Sequence, residues 1–138
     1  MAVFIGTFEN KVDRKGRVSV PAPFRQALAE LTYQGIVAFP SRRAEVIEAC
    51  GQDLMEKLIA DDMEVNLLNE APDGPAAPIF YDLQQLPFDG EGRVILPASF
   101  RDYAAIDGAA TFVGVGKLFQ IWQPERLAQF KQTRRAGA

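Results

Sequence analysis

Read from its N-terminus, the chain sets short apolar runs between charged turns before it shows any helix. Val3-Phe4-Ile5-Gly6-Thr7-Phe8, followed by Lys11-Val12, is rich in β-branched and aromatic residues and predicts a strand. Arg17-Val18-Ser19-Val20 alternates polar and apolar with period two, which predicts a second strand stopped by Pro21. Pro23 suits a first helical turn, and Phe24, Leu28 and Leu31 fall on one face of the short helix it would open. Gly35-Ile36-Val37-Ala38-Phe39-Pro40 reads as a short buried strand closed by proline. From Ala44 to Ile59 the residues Val46, Ile47, Cys50, Leu54, Leu58 and Ile59 recur at helical spacing, predicting one helix across that span. Asp61 to Glu70 fits either a continuation of it or a turn and a further piece of helix. Ala71 to Pro78, with three prolines and a glycine, predicts a linker.

Past the linker the same alternation resumes. Ile79 to Phe88 is a strand-like approach in which Pro87 needs an edge or a bulge. Ala110 to Val115 and Leu118 to Trp122 predict two strands joined by a turn at Gly116-Lys117. Gln123-Pro124-Glu125 opens a helix with Leu127 and Phe130 facing inward. Trp122 is placed to pack the sheet against this helix rather than to stack on a nucleobase. Lys131 to Ala138, carrying Lys131, Arg134 and Arg135, predicts a frayed, solvated end.

The pattern repeats. Asp13-Arg14-Lys15-Gly16-Arg17-Val18-Ser19-Val20-Pro21-Ala22-Pro23-Phe24-Arg25 returns as Asp89-Gly90-Glu91-Gly92-Arg93-Val94-Ile95-Leu96-Pro97-Ala98-Ser99-Phe100-Arg101. Asp, Gly, Arg, Val, Pro, Ala, Phe and Arg coincide without a gap, which points to a duplicated structural unit. Asp-x-x-Gly is the signature of a type I turn whose glycine takes a left-handed backbone, a common hairpin connection. Each unit is therefore strand, hairpin, strand and short helix. The expected organisation is a first unit over residues 1–70, a linker over 71–78 and a second unit over 79–138.

Composition narrows the chemistry. The chain has 138 residues, enough to bury a real core, and 48% of them are hydrophobic. A single Cys50 excludes an internal disulfide framework, and the absence of histidine removes most zinc sites and the usual Ser-His-Asp and Cys-His machinery. Cys50 falls on an apolar face and is expected to be a core side chain. No stretch approaches 18 apolar residues, so no membrane partner is expected and a cytoplasmic location is. No cofactor and no small-molecule substrate are indicated. An acidic pair such as Asp61 and Asp62 could in principle serve a hydrolase, but adjacent acids at a helix end are ordinarily solvated, so an enzyme is not expected.

Charge separates the two copies. The net charge is −3, which argues against sequence-blind coating of nucleic acid by the whole surface. Yet Lys11, Arg14, Lys15 and Arg17 stand against Asp13 alone in the first hairpin, whereas Asp89 and Glu91 outnumber Arg93 in the second. Turn geometry requires no positive charge, so the asymmetry favours function in the first copy and scaffold in the second. A two-stranded ribbon fits the major groove. Arg17 could read guanine in a bidentate contact, with Arg14 and Lys15 on phosphates and Asp13 either orienting Arg17 or only capping the turn. A module that binds another protein, of the antitoxin-like swapped-hairpin type, is the competing reading; such modules carry one hairpin unit and a long acidic tail.

The two Asp-x-x-x-Arg hairpins, each running into Val-x-x-Pro-Ala-x-Phe-Arg, and the later Gly114-Val115-Gly116 and Phe119-Gln120-Ile121-Trp122, resemble the MraZ family from Phe4 to Phe130. The resemblance implies an α+β fold in which two tandem SpoVT/AbrB-type swapped-hairpin units form a pseudo-two-fold, double-ψ β-barrel with flanking helices. It implies a DNA-binding transcriptional regulator of the division and cell-wall gene cluster, associated with the nucleoid and assembled as a ring on direct repeats of double-stranded DNA. The family's motif falls on Asp13 and Arg17, and on Asp89 and Arg93. The residues expected to meet DNA are Lys11, Arg14, Lys15 and Arg17. Asp13, Gly16, Asp89, Gly92 and Arg93 are expected to build the hairpins.

Overall fold

The computed structural model describes residues 2–69 and 81–137. Its elements are β1 (Thr7–Lys11), β2 (Arg17–Ser19), α1 (Ala22–Ala27), β3 (Gly35–Pro40), β4 (Ile47–Cys50), α2 (Gln52–Asn69), β5 (Gln84–Pro87), β6 (Arg93–Ile95), α3 (Ala98–Ala104), β7 (Ala109–Gly114), β8 (Phe119–Trp122) and α4 (Pro124–Gly137). The fold is α+β. Six strands form one antiparallel sheet in the order β1-β7-β8-β4-β3-β5, and β2 pairs with β6 in a separate two-stranded ribbon.

The copies are woven together rather than set side by side. Each copy's first strand pairs with the third-position strand of the other, β1 with β7 and β5 with β3. In the ribbon Val18 lies opposite Val94, its own counterpart in the repeat, so a local two-fold relation passes between them. The six-stranded sheet ends at β1 and β5, and beyond its turn the β1/β2 hairpin is joined by the isolated bridge Val12–Val18 and by Asn10 Nδ2–H donating to the Ser19 carbonyl. Strand pairing therefore does not close, and the double-ψ barrel expected from the resemblance is here an open sheet with a ribbon across it. Pro87 sits on the edge strand, where its missing N–H leaves no gap in the ladder.

Hydrophobic burial explains why this weave holds. Phe24 of α1 and Phe100 of α3, equivalent in the repeat, are both buried. Phe24 meets Phe4 and Phe119 with ring centroids 5.3 and 4.9 Å away, joining side chains from both copies in one core. Trp122 is buried with Val46 and Leu127 and lies 4.9 Å from Phe130, packing the sheet against α4 as its position suggested. Cys50 is buried in the core, and its thiol is pushed up to about 12 by burial first and then by the charges of Asp53 and Glu48.

Three expectations change. The single helix from Ala44 is replaced by β4, a break at Gly51, and α2. Val46 to Cys50 is buried at every position because β4 lies between β3 and β8, and a short apolar run buried on both faces has no period of its own. At Gly51 a Cβ would lie 2.7 Å from Leu28 Cδ2, so glycine lets the chain pass close to the residue ending α1. The tail is not frayed, since α4 runs to Gly137. The approach strand is shorter than Ile79 to Phe88, with Gln84–Pro87 extended and Tyr81 and Asp82 helical. Ile79, Phe80, Glu70 and the linker 71–78 lie outside the described residues, while Asp61 to Asn69 continues α2.

Candidate nucleic-acid interface

Each hairpin tip is fastened by one aspartate. Asp13 Oδ1 accepts the backbone N–H groups of Lys15 at 2.9 Å and Arg17 at 2.8 Å, while Oδ2 accepts Arg17 Nε–H at 2.6 Å. Asp89 repeats the pattern: Oδ1 accepts Glu91 and Arg93 N–H at 2.8 and 3.0 Å, and Oδ2 accepts Arg93 Nε–H at 2.9 Å. Backbone bonds close both turns, Gly16 N–H donating to the Asp13 carbonyl and Gly92 N–H to that of Asp89. Asp13 thus both caps its turn and orients Arg17.

The same bonds set the carboxyl pKa values. Asp13 is held below the ordinary aspartate value of 3.8, chiefly by the Arg17 backbone N–H, and Asp89 likewise by that of Arg93. The Arg93 guanidinium is pushed up, first by its hydrogen bond to Asp89, with Glu91 and Asp13 adding their charges. A depressed carboxyl pKa adds stability above the unfolded value and loses it as pH falls through the folded one. Amide resonances of Lys15 and Arg17, and of Glu91 and Arg93, should therefore titrate with midpoints below the ordinary aspartate value of 3.8. A midpoint at or above that value would mean that these bonds are absent in solution.

Gly16 and Gly92 lock each tip to the opposite copy. Their φ angles, +85° and +76°, are left-handed. Leu96 N–H donates to the Gly16 carbonyl and Val20 N–H to the Gly92 carbonyl, at 2.9 and 3.1 Å. Arg25 Nε–H donates to the Val20 carbonyl and Arg101 Nε–H to that of Leu96, at 2.9 and 3.1 Å. A Cβ on Gly16 would stand 2.6 Å from the Leu96 carbonyl oxygen, a backbone atom, whereas on Gly92 it would meet the movable Arg25 side chain at 2.7 Å. Gly16→Ala should therefore cost about 2–3 kcal/mol and Gly92→Ala only about 1 kcal/mol, read from urea midpoints. Equal losses would contradict this geometry. Arg25 and Arg101 lie outside the residues the sequence points to, and the signal for them is the arginine that closes each copy of the repeat.

The ribbon collects both arginines on one face. Val18 and Val94 point into the core, so Arg17, Ser19, Arg93 and Ile95 face outward together. Arg17 stands opposite Ile95, and Arg93 opposite Ser19, which sets the two arginines on a diagonal. The two-stranded ribbon is thus β2 with β6, drawn from both copies, rather than the first hairpin by itself. Arg14 and Lys15 occupy the exposed centre of the first turn, and Lys11 is exposed at the end of β1 beside the outward Thr7 and Glu9. Among the described residues, Lys11, Arg14 and Lys15 have no salt-bridge partner. Arg17 and Asp13 side chains are each 36% exposed, and the Arg17 bond to Asp13 uses Nε, leaving its Nη groups for a partner. The second tip offers Gly90 and Glu91, and Glu91 lies 3.8 Å from Arg93. Among the described residues no group of three metal-ligating side chains occurs, and no helix is long and apolar enough to cross a membrane.

The sequence that builds this arrangement matches known proteins. The family described as "MraZ protein, putative antitoxin-like" matches residues 3–37 and 79–137, the two segments that hold the hairpins and the helices after them. The chain belongs to the MraZ family. The interval between the matched MraZ segments contains β4 and α2, the region where apolar spacing was the poorest guide. The protein named transcriptional regulator MraZ of Pelagibacter ubique is 43% identical over 136 residues, covering 99% of this chain and 88% of its own. That of Rhodospirillum rubrum is 47% identical over 131 residues, with 92% and 83% covered. That of Rickettsia bellii is 44% identical over 131 residues, with 94% and 87% covered.

Proposed function

We propose that this chain is a DNA-binding transcriptional regulator that grips double-stranded DNA through Arg17, on the outward face of the β2–β6 ribbon, and the cationic first turn. The observation that carries the reading is the Asp13–Arg17 lock, which holds a guanidinium outward beside two unpaired turn cations. A β-ribbon enters the major groove, where arginine pairs with guanine O6 and N7. Arg17 fills that role, while Lys11, Arg14 and Lys15 meet phosphates and fix the register. Arg93, with three carboxylates bearing on it, serves the architecture of the second hairpin together with Asp89 and Gly92. The names of the relatives, all transcriptional regulators, support the regulatory role and argue against an enzyme.

Four cations per chain on an acidic protein bind DNA weakly. A ring of identical subunits on direct repeats, as the family resemblance implies, multiplies that contact, since linked sites raise apparent affinity by about 10²–10⁴. The division and cell-wall gene cluster promoter is the proposed target, bound at the nucleoid in the cytoplasm. The proposed units are two swapped hairpins, 1–70 and 79–138, interlaced through the β1–β7, β2–β6 and β3–β5 pairings. Footprinting on that promoter tests this directly: repeated protected boxes support it, and uniform cleavage overturns it. The family's antitoxin-like description favours a second reading, a hairpin module that captures a protein. Co-purification of a stoichiometric partner without promoter protection would select that reading.

A further inference from the structure

Away from the ribbon, the end of β3, the turn after it, β4, α2 and the β7–β8 turn enclose a cleft of about 320 Å³. Its walls are apolar: Phe39, Leu54 and Leu118, with Leu58 partly exposed at the mouth. They continue the buried cluster of Val37, Cys50 and Met55 beneath α2. One of the charged lining residues is buried in the wall. Glu48, buried on β4, accepts Arg43 Nη2–H at 3.2 Å, which consumes one cation against one carboxylate. Arg42 and Lys117 remain, and among the described residues neither has a salt-bridge partner.

We infer that this cleft binds a small anionic amphiphile, its apolar body against Phe39, Leu54, Leu58 and Leu118 and its carboxylate between Arg42 and Lys117. The volume falls at the lower end of small-molecule pockets, roughly 300–1,000 Å³, which combine apolar walls with a few placed polar groups. Two unpaired cations at the mouth of an apolar cleft, on a chain of net charge −3, complement an anionic head on an apolar tail. Residues from β3, the turn after it, β4, α2 and the β7–β8 turn make the site concave, a shape suited to a compact ligand more than to the flat face of another chain. The site shares no residue with the β2–β6 ribbon, so the inference stands independently of DNA binding.

The test is a titration with decanoate, decanol and acetate, all below micelle-forming concentrations, followed by calorimetry and melting temperature. Decanoate should bind saturably and raise the melting temperature, decanol should bind at least tenfold more weakly, and acetate should not bind. The double variant Arg42→Glu, Lys117→Glu should melt as wild type does and lose at least tenfold in decanoate affinity, and Arg42→Lys, Lys117→Arg should restore it. Equal binding of decanoate and decanol, retained binding by the charge-reversed variant, or a melting temperature that only falls with decanoate would overturn the inference. So would a wild-type cleft that takes no decanoate while Leu58→Asp changes the oligomer's size, because the cleft would then be a contact between copies.

Discussion

Arg17→Ala should abolish specific operator binding while leaving fold and assembly intact. A bidentate arginine–guanine pair contributes about 1–3 kcal/mol of discrimination, a factor of roughly 10 to 100 at a single tip. Several tips acting on one operator compound that factor, so a loss of at least about 100-fold is expected. Arg17 is about one-third exposed, and its side-chain bond is to Asp13 on its own hairpin, so removing it opens no cavity in the core. Val18 and Val94, which hold the ribbon to the body, are untouched. Fluorescence anisotropy with a labelled operator measures the loss, and circular dichroism and gel filtration check that nothing else has moved. Wild-type affinity in the variant would remove Arg17 as the reader.

Cutting the operator to one box should weaken wild-type binding by about 10²–10⁴, the factor that linked sites supply. Salt gives an independent handle on the same idea. Each phosphate contact adds about 0.9 to the slope of log affinity against log salt, so a single tip using Lys11, Arg14 and Lys15 should show a shallow slope. An operator engaging several tips should show one steeper in proportion to the tips engaged. Equal affinity and equal slope on one box and on many would mean that one chain provides the whole grip, and the multiplied contact would have to be given up.

Much of the site was readable from residues close together in sequence. The Asp-x-x-Gly turns, the Asp13–Arg17 spacing and the charge difference between copies are local features, and local turn chemistry fixes them. Pairing between distant strands was not readable. Nothing within Thr7–Lys11 says that its partner is Ala109–Gly114, because the register is set by a core assembled from both copies. The acidic neighbours of Arg93 point to an architectural role, and only the β2–β6 register shows that it shares a face with Arg17. β4 was missed because burial on both faces erases periodicity, although the repeat held the answer. Phe119–Trp122 followed by Pro124 is the second copy's version of Ile47–Cys50 followed by Gln52. Lys131 to Arg134 are solvated as their charges indicate, yet the tail is helical because it continues α4, which Leu127 and Phe130 set against Trp122, with the Arg134 guanidinium 5.1 Å from the Phe130 ring centre.

The most direct measurement compares Arg17→Ala and Arg93→Ala on one operator in a single anisotropy series, with urea unfolding alongside. The two side chains are locked by equivalent bonds on the same ribbon, and Arg93 alone also has Glu91 beside it. Arg17→Ala should lose operator affinity at unchanged stability, whereas Arg93→Ala should stay within a few-fold of wild-type affinity and lose stability or assembly. Equal losses of DNA affinity from both, or a greater loss from Arg93→Ala at unchanged stability, would contradict a grip centred on the first hairpin.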